Sequence, residues 1–277
     1  MNFMELSQKF IFKNQQLIEE SQAQISIGER GFLFGDGIFE TCKISNRKIY
    51  DYKAHETRIK AGLKALKFHA EIADLEEKSL QLIAKNQVEN GILRISISRG
   101  IGSAGYLPTY ESKALTIIQT LPARKLPPKI SLGISSLRAP QNSFGKSMNA
   151  LPYLLTKIAA QEENLFDSVM LSTKNFIAET SSANIFWVKN NKIFTPAKTC
   201  NILPGTVRRR LLKISPLKIF ETEAKISALK NADEIFLTNS SFLLLNVDEF
   251  AGRKLQKNHG EELSKLLLED VKKSCKK

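Results

Sequence analysis

The 277-residue sequence is poor in the residues that build disulfide and metal sites, with only three cysteines and three histidines. Cys42, Cys200 and Cys275 form no close pair and no C-x-x-C motif. A disulfide framework or a zinc site is therefore not expected. The three histidines are scattered, and none is spaced for metal binding with another.

Long apolar runs are also missing. No apolar run approaches the roughly 20 residues that are needed to cross a bilayer. The N-terminal MNFMELSQKF has neither a basic start nor a long apolar core, so no signal peptide is expected. With 42% apolar and 25% charged residues, the composition is that of a globular protein. The length allows two ordinary domains, and we expect a cytoplasmic protein.

The net charge of +13 is what stands out in the composition. It is compatible with nucleic acid, an acidic surface or small anions. The lysines are spread over the chain, with small concentrations of basic residues only at Arg208–Arg210 and in the tail VKKSCKK, and no nucleic-acid module is recognisable. We therefore favour an anionic small-molecule substrate over nucleic acid or membrane, and keep a non-catalytic basic binding module as an alternative.

Local patterns predict an α+β protein with two mixed domains. The turn at Asn46-Arg47 indicates a hairpin, and apolar spacing predicts helices over 51–68, 73–90 and 147–164. The stretch LPARKLPPK at 121–129 is rich in proline and lysine and is the best candidate for a linker. The predicted organisation is a smaller N-terminal α+β domain at 1–120, the linker at 121–129, and a larger C-terminal domain at 130–277.

Lys146 is the first candidate for chemistry, in the stretch SFGKSMNALPYLL. Its neighbours Phe144, Met148, Leu151 and Tyr153 are apolar. Burial among them would lower the pKa of the amine and make it a better nucleophile and base. A lysine of this kind is what a cofactor bound through a Schiff base requires.

Other segments could hold the rest of such a cofactor. Glu179 is either a surface turn carboxylate or an anion paired with a protonated ring nitrogen. Pro204 and Gly205 precede a predicted helix, whose N-terminal amides would bind phosphate unless the pair is ordinary capping. TNSS at 238–241 is either a polar turn or a further phosphate ligand. Arg58 is either a solvated helix charge or a bidentate phosphate ligand.

Three glycines in RGFLFGDGIFE, Gly31, Gly35 and Gly37, indicate a tight turn or a close approach of the backbone. They do not form a G-x-G-x-x-G loop followed by a helix. The sequence therefore gives no support to a dinucleotide-binding fold.

Six motifs in order resemble one family, the fold-type IV pyridoxal-phosphate enzymes. They are ERGFLFGDGIFET, HETR, GKSMN, ETSSANIF, ILPGTVRR and ADEIFLTNS. The family includes branched-chain aminotransferases, D-amino acid aminotransferases and 4-amino-4-deoxychorismate lyases, and the resemblance covers nearly the whole chain. It implies a two-domain α+β subunit, a homodimer, and pyridoxal 5′-phosphate bound in the cleft between the domains, with the larger C-terminal domain as the cofactor-binding one.

The resemblance also implies roles for particular residues. Lys146 would form the Schiff base and later shuttle the proton, and Glu179 would pair with the pyridine nitrogen. The phosphate would be held by Arg58, the backbone of Thr206 and Val207, and Ser240.

The motifs also bear on which member this is. The spacing K-S-M-N, with Asn149 three residues after Lys146, resembles the lyases and the D-amino acid aminotransferases, and ISISRGIGSAGY at 95–106 is similar to the lyase pattern. Thr41 also suits lyases, where a threonine near the cofactor assists elimination. One departure is Ala104, where lyases often have an arginine that binds substrate carboxylates; Arg99, Arg138 or a lysine would have to compensate.

The first hypothesis is a lyase that converts 4-amino-4-deoxychorismate to 4-aminobenzoate and pyruvate in folate biosynthesis. The alternative is an aminotransferase that acts on branched-chain or D-amino acids.

Overall fold

The structure is a computed structural model that describes residues 9–103, 105–108, 112–123, 125–140 and 145–276. Its contacts divide the chain into two compact units. The first unit takes in Met1–Arg124, Phe144–Asn149 and Val271–Lys277, and the second takes in Lys125–Ser143 and Ala150–Asp270. The main change of unit falls inside the predicted linker, while two short later segments return to the first unit. The domain boundaries given above stay a prediction.

The first unit contains a six-stranded antiparallel sheet in the order β2-β1-β6-β5-β3-β4. Its strands are β1 (Phe10–Lys13), β2 (Gln16–Glu19), β3 (Gly37–Ser45), β4 (Lys48–Ile49), β5 (Gly91–Ser98) and β6 (Leu115–Leu121). The predicted hairpin at Asn46-Arg47 is confirmed, since Ser45 pairs with Lys48 across it. Both turn residues have positive φ, at 50° and 61°, as the tight turns that match strand twist require.

Three helices belong to this unit, α1 (Arg30–Phe34), α2 (Tyr52–Leu66) and α3 (Leu75–Lys85). Helix α3 was predicted to reach residue 90 but ends at Lys85. The reason is local, because Gln87 adopts a left-handed φ of 56° and the amide of Val88 returns to the carbonyl of Ile83. These contacts satisfy the last carbonyls of the helix and turn the chain towards β5.

The sheet of the first unit has one buried face and one more open face. Ile38, Cys42 and Ile44 of β3 point into the core with Ile59 and Leu63 of α2. The residues between them on β3 are only half-buried, as expected for alternation along a strand. The open face is therefore where polar side chains of β3 and β5 gather.

The second unit contains a ten-stranded sheet whose main path runs β12-β11-β10-β9-β8-β7-β15-β16, with β13 paired to β10 and β14. The strands are β7 (Ser131–Arg138), β8 (Asp167–Leu171), β9 (Ile177–Thr180), β10 (Asn184–Lys189), β11 (Lys192–Pro196), β12 (Ile219–Thr222), β13 (Glu234–Asn239), β14 (Leu243–Asn246), β15 (Glu249–Phe250) and β16 (Arg253–Lys254). The helices are α4 (Leu151–Glu162), α5 (Thr206–Ile214), α6 (Ser227–Lys230) and α7 (Asn258–Ser274), the last of which ends in residues assigned to the first unit.

Helix α4 begins four residues later than predicted. Residues 146–148 pair with β3 instead, because the amide of Phe39 donates to the carbonyl of Lys146 at 2.8 Å and the amide of Met148 donates to that of Gly37 at 2.9 Å. Pro152 in the first turn then suits a helix that starts at Leu151. Pairing with β3 thus overrides the helical pattern of the sequence.

The core of the second unit is built on β10 and β13. Ile185 and Trp187 bury one face with Leu237, while the rings of Phe186 and Phe236 stack at 5.0 Å on the other. The α+β class expected from the sequence is confirmed. Within the described residues, no helix is both long enough and apolar enough to cross a membrane.

Candidate functional site

Lys146 lies beside the open face of the first unit's sheet. Its segment extends the edge of β3, and Ile38 forms a bridge with Ser147. This register places Lys146 beside Phe39, and its Nζ lies 4.6 Å from the centroid of the Phe39 ring. The amine is therefore held on a rigid strand edge rather than on a helix. Its lowered pKa stays a prediction.

Close packing of glycines keeps this segment against β3. A Cβ on Gly37 would lie 2.7 Å from the sulfur of Met148 and 2.7 Å from the carbonyl oxygen of Ile97. At Gly35, with φ of 66°, a Cβ would lie 3.0 Å from the backbone of Asn149. The glycines of RGFLFGDGIFE thus do allow a close approach of backbone, and the segment that approaches is the one that carries Lys146.

Arg94 and Thr41 share this open face with Lys146. Thr41 on β3 pairs directly with Arg94 on β5, so their side chains are neighbours on one side of the sheet. The guanidinium of Arg94 lies 4.2 Å from the centroid of the same Phe39 ring that Lys146 contacts. Burial lowers the pKa of Arg94 from its usual range, although the group stays a cation at any physiological pH. An amine, a hydroxyl and a fixed cation are thus brought to one surface.

Arg58 is tied into a buried network in the first unit. Its Nε and Nη2 donate to the two carboxylate oxygens of Glu40, each at 2.7 Å. Nδ1 of His55 lies 2.6 Å from Oε2 of the same glutamate. Burial by itself would raise the pKa of Glu40, but the charge and hydrogen bonds of Arg58, with the hydrogen bond of His55, hold it at about 2. Arg58 is therefore held in place by a buried carboxylate, and its role as a phosphate ligand stays a prediction.

Glu179 is a buried carboxylate in the second unit, on β9. Its Oε1 accepts from the hydroxyl of Tyr153 at 2.9 Å. Its Oε2 accepts from Nδ2 of Asn184 at 3.2 Å and from the amide of Leu203 at 3.0 Å. Glu179 is only 3% exposed, so it is not the surface turn carboxylate that was the alternative interpretation. The acid is fixed by donors from three separate segments.

The turn after Glu179 is fixed by a second buried acid. The carboxylate of Asp167 accepts from the amide of Ser181 at 3.2 Å and from the hydroxyl of Ser182 at 3.0 Å. The end of β9 is thereby locked in place. Glu179 consequently sits on a rigid support.

The predicted phosphate ligands of the second unit meet at the N-terminus of α5. Gly205 is the N-cap with φ of −62°, and the helix begins at Thr206 and Val207. The hydroxyl of Thr206 lies 3.1 Å from that of Ser240, which follows β13. First-turn amides, two hydroxyls and the helix dipole form a donor set that suits a phosphate.

Arg99 and Arg138, which were considered as replacements for the lyase arginine, have different surroundings, and their role stays a prediction. Ala104 itself lies outside the described residues. Arg99 is held by Asp36, with its Nε 2.8 Å from Oδ2, and by the carbonyl of Leu66 at 2.7 Å. Arg138 is exposed at the end of β7 in the second unit. Arg94, which sequence reasoning missed, shares a surface with Lys146, since both lie over the ring of Phe39.

Several site partners had little or no signal in the sequence. Glu40 is a charged residue at a core-facing position of β3, and such a residue needs a buried partner, so HETR could have suggested Arg58 and His55. Tyr153 and Leu203 lie more than 20 residues from Glu179, and only the fold brings them to its carboxylate. Arg94 is recognisable only once the register of β3 and β5 is known.

Comparison with known proteins shows the family of the chain. The profile of the amino-transferase class IV family matches residues 37–250, which is most of the sequence and spans Lys146, Glu179 and the start of α5. The chain belongs to this family. The resemblance drawn from the six motifs is therefore confirmed.

Individual relatives divide between two activities. An aminodeoxychorismate lyase from Vibrio harveyi is 29% identical over 249 residues, covering 86% of this chain and 90% of the relative. A D-alanine aminotransferase from Bacillus licheniformis is 26% identical over 257 residues, covering 87% and 88%. The crystal structure of a branched-chain aminotransferase from Thermoproteus uzoniensis with norvaline superposes with a TM-score of 0.91 at 18% identity, covering 96% of each chain. This last likeness shows the fold.

Class IV aminotransferases are enzymes that use pyridoxal 5′-phosphate, and the predicted cofactor is confirmed at this level. Among the described residues, no group of three or more histidine, cysteine, aspartate or glutamate side chains is arranged to hold a metal ion.

Proposed function

We propose that this protein is a pyridoxal-phosphate-dependent lyase that converts 4-amino-4-deoxychorismate to 4-aminobenzoate and pyruvate, a step of folate biosynthesis. The observation that carries the proposal is the open face of the first unit's sheet, where Lys146, Thr41 and Arg94 gather around Phe39. A half-buried guanidinium beside the reactive amine suits a substrate with carboxylates. It suits an aliphatic branched-chain side chain less well.

The donor sets of the two units support the proposed cofactor roles. Lys146 provides the amine for attachment, and Glu179 a buried carboxylate for the protonated ring nitrogen. The proposed phosphate ligands are the amides at the start of α5, at Thr206 and Val207, and the hydroxyls of Thr206 and Ser240. Arg58 is the remaining proposed phosphate ligand. The aldehyde carbon, the ring nitrogen and the phosphate of the cofactor thus each have a matching group in this chain.

Bound pyridoxal phosphate supplies an electron sink for a carbanion formed at the substrate carbon that bears the amine. The amine of Lys146 would remove the proton from that carbon. The bond from the ring to the enolpyruvyl oxygen then breaks, which leaves 4-aminobenzoate. The enolpyruvyl group takes up a proton and becomes pyruvate, and the hydroxyl of Thr41 would help to deliver it. Arg94 would hold a substrate carboxylate throughout.

An aminotransferase acting on D-amino or branched-chain amino acids is the second candidate. It is supported by the similarity to the D-alanine aminotransferase over 87% of the chain. The two candidates share the removal of a proton by Lys146. They differ in what is needed to complete the cycle, because an aminotransferase needs a keto acid as acceptor and the lyase needs none.

Purified protein loaded with pyridoxal phosphate separates the two candidates. One reaction contains 4-amino-4-deoxychorismate alone, and others contain D-alanine, D-glutamate or leucine with 2-oxoglutarate. We expect 4-aminobenzoate and pyruvate in equal amounts with no keto acid added. Turnover of amino acids that depends on the acceptor, with no 4-aminobenzoate formed, would overturn the lyase proposal.

We also propose a homodimer, as the resemblance implies. Helix α4 exposes Leu151, Leu154, Leu155 and Ile158, which form one apolar stripe at helical spacing. Separate exposed apolar side chains in the first unit include Ile27, Phe32, Tyr106 and Leu107. Surfaces of this kind mark contacts with another chain. Sedimentation velocity is expected to give twice the mass of the 277-residue chain, and a monomer at all concentrations would refute this. The cytoplasmic location stays a prediction.

A further inference from the structure

Tyr153 is a residue of the second unit that the proposed chemistry leaves without a role. It lies in the first turn of α4, and its hydroxyl is 2.9 Å from Oε1 of Glu179. Its ring packs against a small buried cluster formed by Ala139, Met170, Ala178, Cys200 and Ile202. The packing fixes the ring, so the hydroxyl is directed at the carboxylate.

The direction of this hydrogen bond follows from the environment of Tyr153. Burial raises the pKa of its phenol, and the charge and hydrogen bond of Glu179 raise the pKa further. The phenol therefore keeps its proton at neutral pH. Tyr153 is the donor and Glu179 is the acceptor.

Tyr153 differs from the other donors to this acid. The amide of Leu203 and the side chain of Asn184 both donate to Oε2, whereas Tyr153 donates to Oε1. Each donor to a carboxylate draws charge from it and makes it a weaker base. Tyr153 is also the easiest of the three to remove, because phenylalanine has the same shape without the hydroxyl.

We propose that Tyr153 is a positioning residue that acts through Glu179: it orients Oε1 and weakens the carboxylate as a base, so that the shared proton stays on the ring nitrogen of the cofactor. This inference rests on the proposed pairing of Glu179 with that nitrogen. In a hydrogen bond between a pyridine nitrogen and a carboxylate, the proton lies nearer to the more basic partner. A weaker carboxylate thus favours the pyridinium form, which is the better electron sink.

The test compares the native protein with Tyr153→Phe, each loaded with pyridoxal phosphate labelled with ¹⁵N in the ring. The ¹⁵N chemical shift reports directly whether the ring nitrogen carries the proton. We expect the resonance of Tyr153→Phe to move towards the value of a neutral pyridine. The exchange of the substrate α-proton with solvent is expected to slow by about tenfold, the equivalent of one pKa unit. The KM for the substrate stays close to that of the native protein.

Tyr52→Phe is the matched control. In the described part of the chain, the hydroxyl of Tyr52 is buried without a hydrogen-bond partner, and it lies in the first unit. Removing it changes a buried tyrosine in the same way but leaves Glu179 as it is. We expect an unchanged ¹⁵N shift and an unchanged exchange rate in this variant.

A second comparison uses Glu179→Gln, which removes the acid through which Tyr153 acts. In that background Tyr153→Phe should produce no further change in the ¹⁵N shift, whereas an equal change in both backgrounds would overturn the inference. A native ¹⁵N shift in Tyr153→Phe with cofactor bound would also overturn it, and would leave the proposed function standing. Native protein that forms no Schiff-base absorbance with pyridoxal phosphate would instead refute the proposed function. Thermal denaturation identifies a variant that has simply lost its fold, and in that case the comparison is made with Tyr153→Met, which also has no hydrogen-bond donor.

Discussion

Glu40 and Glu179 are both almost fully buried, at 2% and 3% exposure, yet the two units satisfy them differently. In the first unit Glu40 accepts hydrogen bonds from Nε and Nη2 of Arg58, and the positive charge of Arg58 balances its negative charge. In the second unit Glu179 receives a phenol hydroxyl, a side-chain amide and a backbone amide, which are all neutral donors. Neutral donors fix a carboxylate in place without cancelling its charge.

The difference separates a structural acid from one that suits a ligand. A buried carboxylate paired with arginine is destabilising to break, because its partner would be left as an unpaired buried charge, and its own charge is already balanced. The three donors to Glu179 carry no charge themselves, which suits an acid proposed to pair with a cation such as a protonated ring nitrogen. The proposed roles divide between the units in a similar way. Lys146 and Thr41, which are proposed to break and form bonds, belong to the first unit. The residues proposed to bind the cofactor ring nitrogen and phosphate belong mainly to the second unit.

The largest effect is expected from Lys146→Ala. Loss of the amine removes both the attachment point and the general base, so activity should fall by about 10³-fold or more. The Schiff-base absorbance should disappear as well. Lys218→Ala is the control, because Lys218 also lies over a ring, that of Phe220 at 4.9 Å, but is exposed. A yellow and active Lys146→Ala would show that the first unit does not supply the amine.

A smaller but still large effect is expected on stability from Glu40→Gln. The pKa of Glu40 is about 2, against an ordinary 4.5. Because the pKa is depressed in the folded state, the stabilisation is fully present above pH 4.5 and is lost as the pH falls towards 2. Its size is about 3 kcal/mol at neutral pH. Urea denaturation should show this loss in Glu40→Gln at pH 7, with a weaker acid dependence below pH 4.5.

The control for this variant is Glu56→Gln, which removes an exposed pair with Lys60 on the same helix as Arg58. The expected loss there is at most about 0.5 kcal/mol. An equal loss of unfolding free energy in the two variants would mean that the buried Glu40 network stabilises the fold no more than a surface ion pair. The contrast drawn between Glu40 and Glu179 would then be wrong.

Structural features that depend only on neighbouring residues could be predicted from the sequence, whereas features that depend on distant segments could not. The hairpin at Asn46-Arg47 and the start of α5 after Gly205 follow from neighbouring residues, and both were predicted. The predicted start of α4 was wrong, because hydrogen bonds to β3 hold residues 146–148 against that strand. No local pattern contains that information.

The candidate site shows the same limit. The motifs indicated Lys146 and Glu179, but they did not indicate which side chains from other segments contact the same site. The contact of Arg94 with Phe39 depends on strand register, and the contact of Tyr153 with Glu179 joins residues 26 positions apart. Side chains that support a site come from wherever the fold places them, so the sequence of a single chain gives them little signal.

Arg94→Gln tests the substrate side of the first unit. Loss of a charge-assisted hydrogen bond costs about 2 kcal/mol, so the KM for 4-amino-4-deoxychorismate should rise by about 30-fold. The absorbance of the bound cofactor should not change. Arg47→Gln, an exposed residue of the β3–β4 turn, is the control. An unchanged KM in Arg94→Gln would remove the reason to prefer an anionic substrate.

The smallest effect is expected from Thr206→Val in the second unit. The variant keeps the amides of the helix terminus and removes only the hydroxyl that lies 3.1 Å from Ser240. One neutral hydrogen bond is worth about 1 kcal/mol, so the Kd for pyridoxal phosphate should rise by about fivefold. The Kd for pyridoxal, which has no phosphate, should stay the same, as should both constants in Thr57→Val, which alters a hydroxyl on α2. If Thr206→Val weakens pyridoxal as much as pyridoxal phosphate, the hydroxyl supports the fold of this corner rather than a phosphate. The second unit would then contribute its acid but not the anchor.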